Sequence, residues 1–370
     1  MRSPLLFAAL ATAAMPLAAN AVDVKLYGNV SKAAMGYDDG IDNEFTVVDD
    51  NNLSTRIGVA GEQKLDNGLT ASVLLEAQSQ SNGSQSITQN TVTGQSHTPV
   101  NTTGTLEERM ARVGLSSEHG ALFIGNQDIA TDDVLVHDLA AAGSMVNSQI
   151  AAFGGGLQFR TSAGTAVNVA GTDLTPNDFA LGNNGDLASA NSVRFNTATY
   201  NGFNGSLSAS QGGNMDAIIR YANSFGDFQI DTALGHTFVN DQTTTGSDEL
   251  TGATSGSASV KHSSGLGATV AYTTQHLSNK SAGVDEAEGY YGKVGYAWGA
   301  YGVAAEYGKF KNPVASATKQ EMDVYGIGAD RDLGNGVSVG GLYRNLSADV
   351  DGISNIEDIN VYTVSMRVKF

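Results

Sequence analysis

Cysteine is absent from this chain of 370 residues, proline occurs five times and tryptophan once. Without cysteine there can be no disulfide staples and no thiolate-bound zinc. Scarce proline argues against a disordered linker, where it is enriched. It suits long strand ladders, in which each proline removes a hydrogen bond. Past residue 21 no apolar run approaches the roughly 20 residues of a membrane-spanning helix. If this chain crosses a membrane, it does so as a closed barrel, because lipid satisfies no exposed backbone group. Basic residues are also few, with 20 Lys and Arg against 38 Asp and Glu and a net charge of −18. That balance argues against nucleic acid as a partner.

Catalytic and metal-binding patterns are missing too. The six histidines, His97, His119, His137, His236, His262 and His276, are dispersed and form no His-Glu-x-x-His pair. There is no Gly-x-Ser-x-Gly elbow and no phosphate loop ending in Gly-Lys-Ser/Thr. No enzyme, metal or cofactor is expected.

What the chain does contain begins with an export pattern. Arg2, an apolar run from Leu5 to Leu17, and Ala19-Asn20-Ala21 read as a cleaved signal over residues 1–21. The remainder, 22–370, shows no composition break and reads as one domain. Its clearest segment is the last. Counting back by twos, Phe370, Val368, Met366, Val364 and Tyr362 share one face of a strand, and Lys369, Arg367, Ser365, Thr363 and Val361 the other. A soluble protein would turn the first set to its core. A membrane barrel would turn it to lipid, with the polar set on a wet lumen. Leu69, Ala71, Val73 and Leu75 alternate in the same way, as do Phe228, Ile230, Thr232, Leu234 and His236.

Punctuation decides between the two. Tight Gly- and Asn/Asp-containing turns fall at 65–68, 117–120, 201–205, 225–227, 263–265, 298–300 and 332–336. Longer polar stretches fall between them, near 38–52, 79–106, 127–190, 212–216, 240–252, 278–286, 312–319 and 349–356. Short and long connections alternate, and together they separate sixteen strands. Such sorting is expected of an outer-membrane barrel, and closure removes the edges of so large a sheet. The fold class is therefore all-β, a 16-stranded antiparallel transmembrane barrel.

The chain resembles the general diffusion porins of the Gram-negative outer membrane. The residues that carry this likeness are Val24–Asn29, Ser54–Glu62, Asp66–Leu69, Arg109–Leu115, Phe123–Gly125, Asn191–Phe195 and the terminal Phe370. The resemblance implies short periplasmic turns, long external loops and a third loop folded inward, here 127–190, that narrows the pore. It implies passive diffusion of small hydrophilic solutes and ions through a homotrimer in the outer membrane. A substrate-selective channel for an anion or a sugar is the alternative. Outer-membrane lipid or lipopolysaccharide and the barrel-insertion machinery are the further partners, the latter reading Phe370.

Selectivity in such a channel comes from lumen width and charge at the narrowest point. The resemblance places Arg56, Arg109 and Arg194 on a basic wall, with Glu62 and Glu76 as carboxylates that line the lumen or anchor those guanidiniums. Arg112 has the opposite parity to Arg109, which suggests a subunit contact or the periplasmic rim. The family's Pro-Glu-Phe-Gly-Gly signature is reduced to Phe153-Gly154-Gly155 behind Ala151-Ala152, so its glutamate is missing. Asp128, Asp132, Asp133 and Asp138 are the candidates to replace it.

Overall fold

The computed structural model describes residues 22–89, 92–93, 96–97, 106–180, 189–240 and 247–370; residues 1–21, and with them the expected signal, lie outside this set. Seventeen strand segments form one closed antiparallel sheet. They are β1 (Asp23–Asp38), β2 (Asn43–Asp49), β3 (Arg56–Lys64), β4 (Thr70–Ser79), β5 (Leu106–Ser117) and β6 (Gly120–Asp128). After the longest connection come β7 (Ser189–Thr197), β8 (Phe203–Ser210), β9 (Met215–Phe225), β10 (Phe228–Phe238), β11 (Glu249–His262) and β12 (Leu266–Ser278). The last are β13 (Glu288–Trp298), β14 (Tyr301–Lys311), β15 (Gln320–Gly334), β16 (Val337–Val350) and β17 (Ile359–Lys369).

Both β2 and β3 pair with β1, at Lys32–Asp38 and Asp23–Asn29 respectively, so they form one stave broken by a short 3-10 turn at Asn51–Leu53. The barrel therefore has sixteen staves. It closes where β1 pairs with β17, from Asn29 opposite Lys369 to Asp38 opposite Asn360. All seven short connections lie where the turn residues put them. At Asn201-Gly202 both residues have positive φ, 51° and 88°. A two-residue hairpin of that geometry matches strand twist, and Asn-Gly adopts it with least strain. The first long stretch is shorter than expected. The sequence reading assigned 38–52 to a loop, but Asn43–Asp49 continues the sheet, and only four residues separate it from β1.

The faces of the strands settle the inside-out arrangement. On β17, Tyr362, Val364 and Met366 point outward, and Val364 is 65% exposed; the intervening Thr363 faces inward at 3%. Outward aromatics gather in two belts, as expected at membrane interfaces. Tyr272–Tyr290, Tyr307–Tyr325 and Tyr343–Tyr362 pair near the loop end, while Tyr296, Trp298 and Tyr301 stack beside a turn. An Arg for Val364 puts a guanidinium on the lipid side, so V364R should cost about 2–4 kcal/mol. Urea unfolding in lipid vesicles measures this; an unchanged midpoint would mean that this face meets water.

The lumen is not polar throughout. The connection after β6 turns inward, and its Met145, Val146, Ile150, Phe153, Leu157 and Phe159 pack on wall residues including Met35, Met322, Leu346 and Val361. A loop held inside the barrel buries its own apolar side chains, which is why part of the inner wall is apolar.

Candidate functional site

The inward loop walks round the wall stave by stave. Ala130 N donates to Ser208 on β8 at 3.0 Å, and Thr131 N to Asp216 on β9 at 2.7 Å. The Thr131 hydroxyl bonds Thr237 on β10, the Ser257 hydroxyl on β11 donates to the carbonyl of Val134, and Leu139 N donates to Ser259. Further on, Asp138 accepts from Thr269 on β12 and from Lys293 on β13, the latter at 2.6 Å. The wall makes room with glycine. A Cβ at Gly235, Gly267, Gly295, Gly302, Gly328 or Gly340 would lie within about 3 Å of loop atoms. Beyond 144 the loop bonds Asp330 on β15 through Ser144, and its Ile150 carbonyl accepts from Arg344 on β16. Arg160 then ties it to Asp39 and Asp42, which follow β1.

Lys293 and Arg344 are the buried ends of this attachment. Arg344 is 1% exposed and binds Glu306 at 2.7 Å; Glu306 also accepts from the Tyr291 hydroxyl at 2.9 Å. Sequence reasoning passed over Lys293, Glu306 and Arg344. The available signal was parity, since each sits on the lumen face of an alternating strand.

The uncovered wall runs over β3 to β7, and there the charges collect. Tyr27 on β1 reaches Glu76 on β4 at 2.7 Å by crossing β3 at Gly58, where a Cβ would lie 2.4 Å from the tyrosine ring. Arg109 binds the other oxygen of Glu76 at 2.9 Å and approaches Asp128 at 3.5 Å. Arg56 lies 3.8 Å from Glu76 and donates to Ser54 at 2.8 Å. Arg194 donates to the carbonyls of Asp128 and Ile129 at 3.0 and 3.1 Å, clamping the point where the loop leaves the wall.

A bulge explains Arg112. Glu76 pairs with Met110 while Ala77 pairs with Glu108, so Arg109 is the extra residue and alternation shifts by one. Arg109 and Arg112 thus both face the lumen, in place of the subunit contact or rim that parity suggested. Arg112 stacks on Phe123 at 4.5 Å and donates to Gln127 at 3.3 Å.

The candidate carboxylates separate into different roles. Asp128 ends β6, on the wall rather than in the loop, and also accepts from Ser189 at 2.8 Å. Asp132 and Asp133 stand at the loop base, Asp132 half-buried and Asp133 exposed. Crowding by the surrounding protein, with the nearby charges of Asp128 and Asp133, pushes Asp132 up to about 8. Asp138 holds the loop to Lys293 and Thr269. Glu62 is exposed farther along the lumen face of β3 and joins no ion pair among the described residues. Phe370 is outward, its backbone paired with Gly28 and its ring over that glycine.

A family description of the Gram-negative porins matches residues 7–351 of this chain. The chain belongs to that family. As a porin it lies in the outer membrane and forms a channel. Its fold is similar to that of an anion-selective porin from Comamonas acidovorans, with a TM-score of 0.61 and 16% identity over 95% of this chain and 100% of that one. OmpT, an outer membrane protein of Vibrio cholerae solved in a trimer form, gives 0.59 and 12% over 95% and 100%. A mutant of the Rh. blastica porin gives 0.56 and 17% over 94% and 100%. At these identities the shared property is the barrel. No curated protein sequence matches this porin.

Proposed function

We propose that this porin passes small hydrophilic solutes without catalysis and prefers anions at its narrowest level. One observation carries the preference. Among the described residues, the four arginines Arg56, Arg109, Arg112 and Arg194 of the uncovered wall form ion pairs with two carboxylates, Glu76 and Asp128, and burial pushes Asp132 at the loop base up to about 8. The inward connection, described over 129–180, is the constriction in this reading, because its described part lies against the opposite half of the wall. The anion-selective neighbour agrees with it. Reversal potentials in a salt gradient test the proposal. Anions should dominate at neutral pH, and their preference should fall as pH rises through about 8 and Asp132 ionises. Cation preference at pH 7 would end the reading.

A substrate-selective channel is the second reading, favoured by the cavity described below. A homotrimer fits the outward Lys32, half-exposed between Val30 and Ala34 on β1 with its partner Asp49 buried, which is relieved of lipid contact if a second copy covers it. The trimer form of the Vibrio cholerae neighbour is in keeping with this. Residues 1–21 are read as the export signal. Phe370 serves as the signal to the insertion machinery, and the external loops meet lipopolysaccharide.

A further inference from the structure

A cavity of about 400 Å³ with a mixed polar and apolar lining lies at the turn end of β15 to β17, where its Lys369 is separated from Arg56 only by Asn29 of β1. Ala141, Ala142 and Ser144 of the inward loop roof it, and β15 to β17 form its floor. Strand register sets its chemistry. Asp332, Ser338 and Arg367 are cross-strand neighbours on β15, β16 and β17, and all three belong to the lumen face. Asp330 stands one inward position farther along β15.

Arg367 is the anomaly. Among the described residues it forms no ion pair, and its Nε is buried without an acceptor. Such a donor is costly to leave alone, and an incoming oxyanion would satisfy it. The two carboxylates each keep an oxygen available. Asp332 accepts from Gly334 N through Oδ1, and Asp330 accepts from the Ser144 hydroxyl through Oδ2 at 2.7 Å. The other Asp330 oxygen lies over Gly302, where a Cβ would be 2.5 Å away. Arg367, on which the charges of Asp50 and Asp330 both act, shares this space with Lys369 and the two half-used carboxylates, so groups of both signs line one small cavity.

We infer that this cavity is a subsite for a small zwitterionic solute of the α-amino acid class. Arg367 takes its carboxylate, and Asp330 and Asp332 take its ammonium. A simple anion would leave the carboxylates unanswered, and a simple cation would leave Arg367 so. The inference rests on the channel reading, since the solute reaches the cavity through the lumen.

Equilibrium dialysis of labelled L-alanine against the folded porin in detergent micelles tests the subsite independently of conduction. Saturable binding of one alanine per chain is expected, with acetate and methylammonium each roughly tenfold or more weaker because each makes half the contacts. Arg367→Gln should weaken alanine by a similar factor, and so should Asp332→Asn, which decides the matter if the first variant folds poorly. No saturable binding, acetate equal to alanine, or both variants binding as the unmodified chain does would overturn the inference. Current through the same preparation in plain salt reports on the channel separately: an open channel without alanine binding removes only the subsite.

Discussion

Arg344→Ala lowers the stability of the barrel by about 3–5 kcal/mol and makes its channel wider and noisier. The expectation follows from one row of register partners on β14, β15 and β16: Glu306 opposite Gly326, and Gly326 opposite Arg344. Glu306 can reach Arg344 only because Gly326 leaves the space above β15 empty; a Cβ there would sit 2.2 Å from the carboxylate oxygen. Removing the guanidinium leaves Glu306 buried with Tyr291 as its remaining partner, and frees the Ile150 carbonyl of the loop. Most of the cost is the stranded carboxylate rather than the lost attraction. Replacing both charges by apolar residues, as in R344M with E306L, should therefore recover much of the stability. Conductance should stay raised in that double variant, because the loop still lacks its anchor. Urea midpoints and single-channel traces separate the two effects. An R344A barrel as stable and as quiet as the unmodified one would show that the loop is held elsewhere.

The second large effect concerns the wall. With Arg56, Arg109 and Arg194 all changed to Gln, Arg112 alone faces Glu76 and Asp128, and the local charge changes sign. Preference should then pass from anions to cations, seen as an inverted reversal potential. Arg194 carries an additional cost of roughly 1–3 kcal/mol, because its loss unpairs the carbonyls at the loop base. A reversal potential unmoved by the triple change would place the selectivity elsewhere.

Much of the barrel was readable before the structure, because its signals are local. Asn201-Gly202 and Asn335-Gly336 specify tight hairpins by backbone preference alone, and the alternation of β17 assigns its faces. The resemblance put Arg56, Arg109 and Arg194 on a basic wall; the structure groups Arg56 and Arg109 about Glu76 and sets Arg194 on the carbonyls at the loop base. The rest depends on contacts distant in sequence. The bulge at Arg109 is invisible without its partner strand, so Arg112 was given the wrong face. Asn43–Asp49 looked like loop because it is acidic and short, yet β1 supplies a pairing edge that composition does not reveal. Asp138 was one of four candidates for the missing loop glutamate, and its partner Lys293 is distant in sequence. The glycine track of the inner wall was hidden within a total of 45.

Single-channel recording of the unmodified porin in planar lipid bilayers tests the central claim most directly. An open passage beside the inward loop predicts discrete, long-lived steps whose size rises in proportion to the conductivity of the bathing salt. Protein that inserts into the bilayer but never adds a conducting step would contradict it, since the loop would then fill the lumen rather than narrow it.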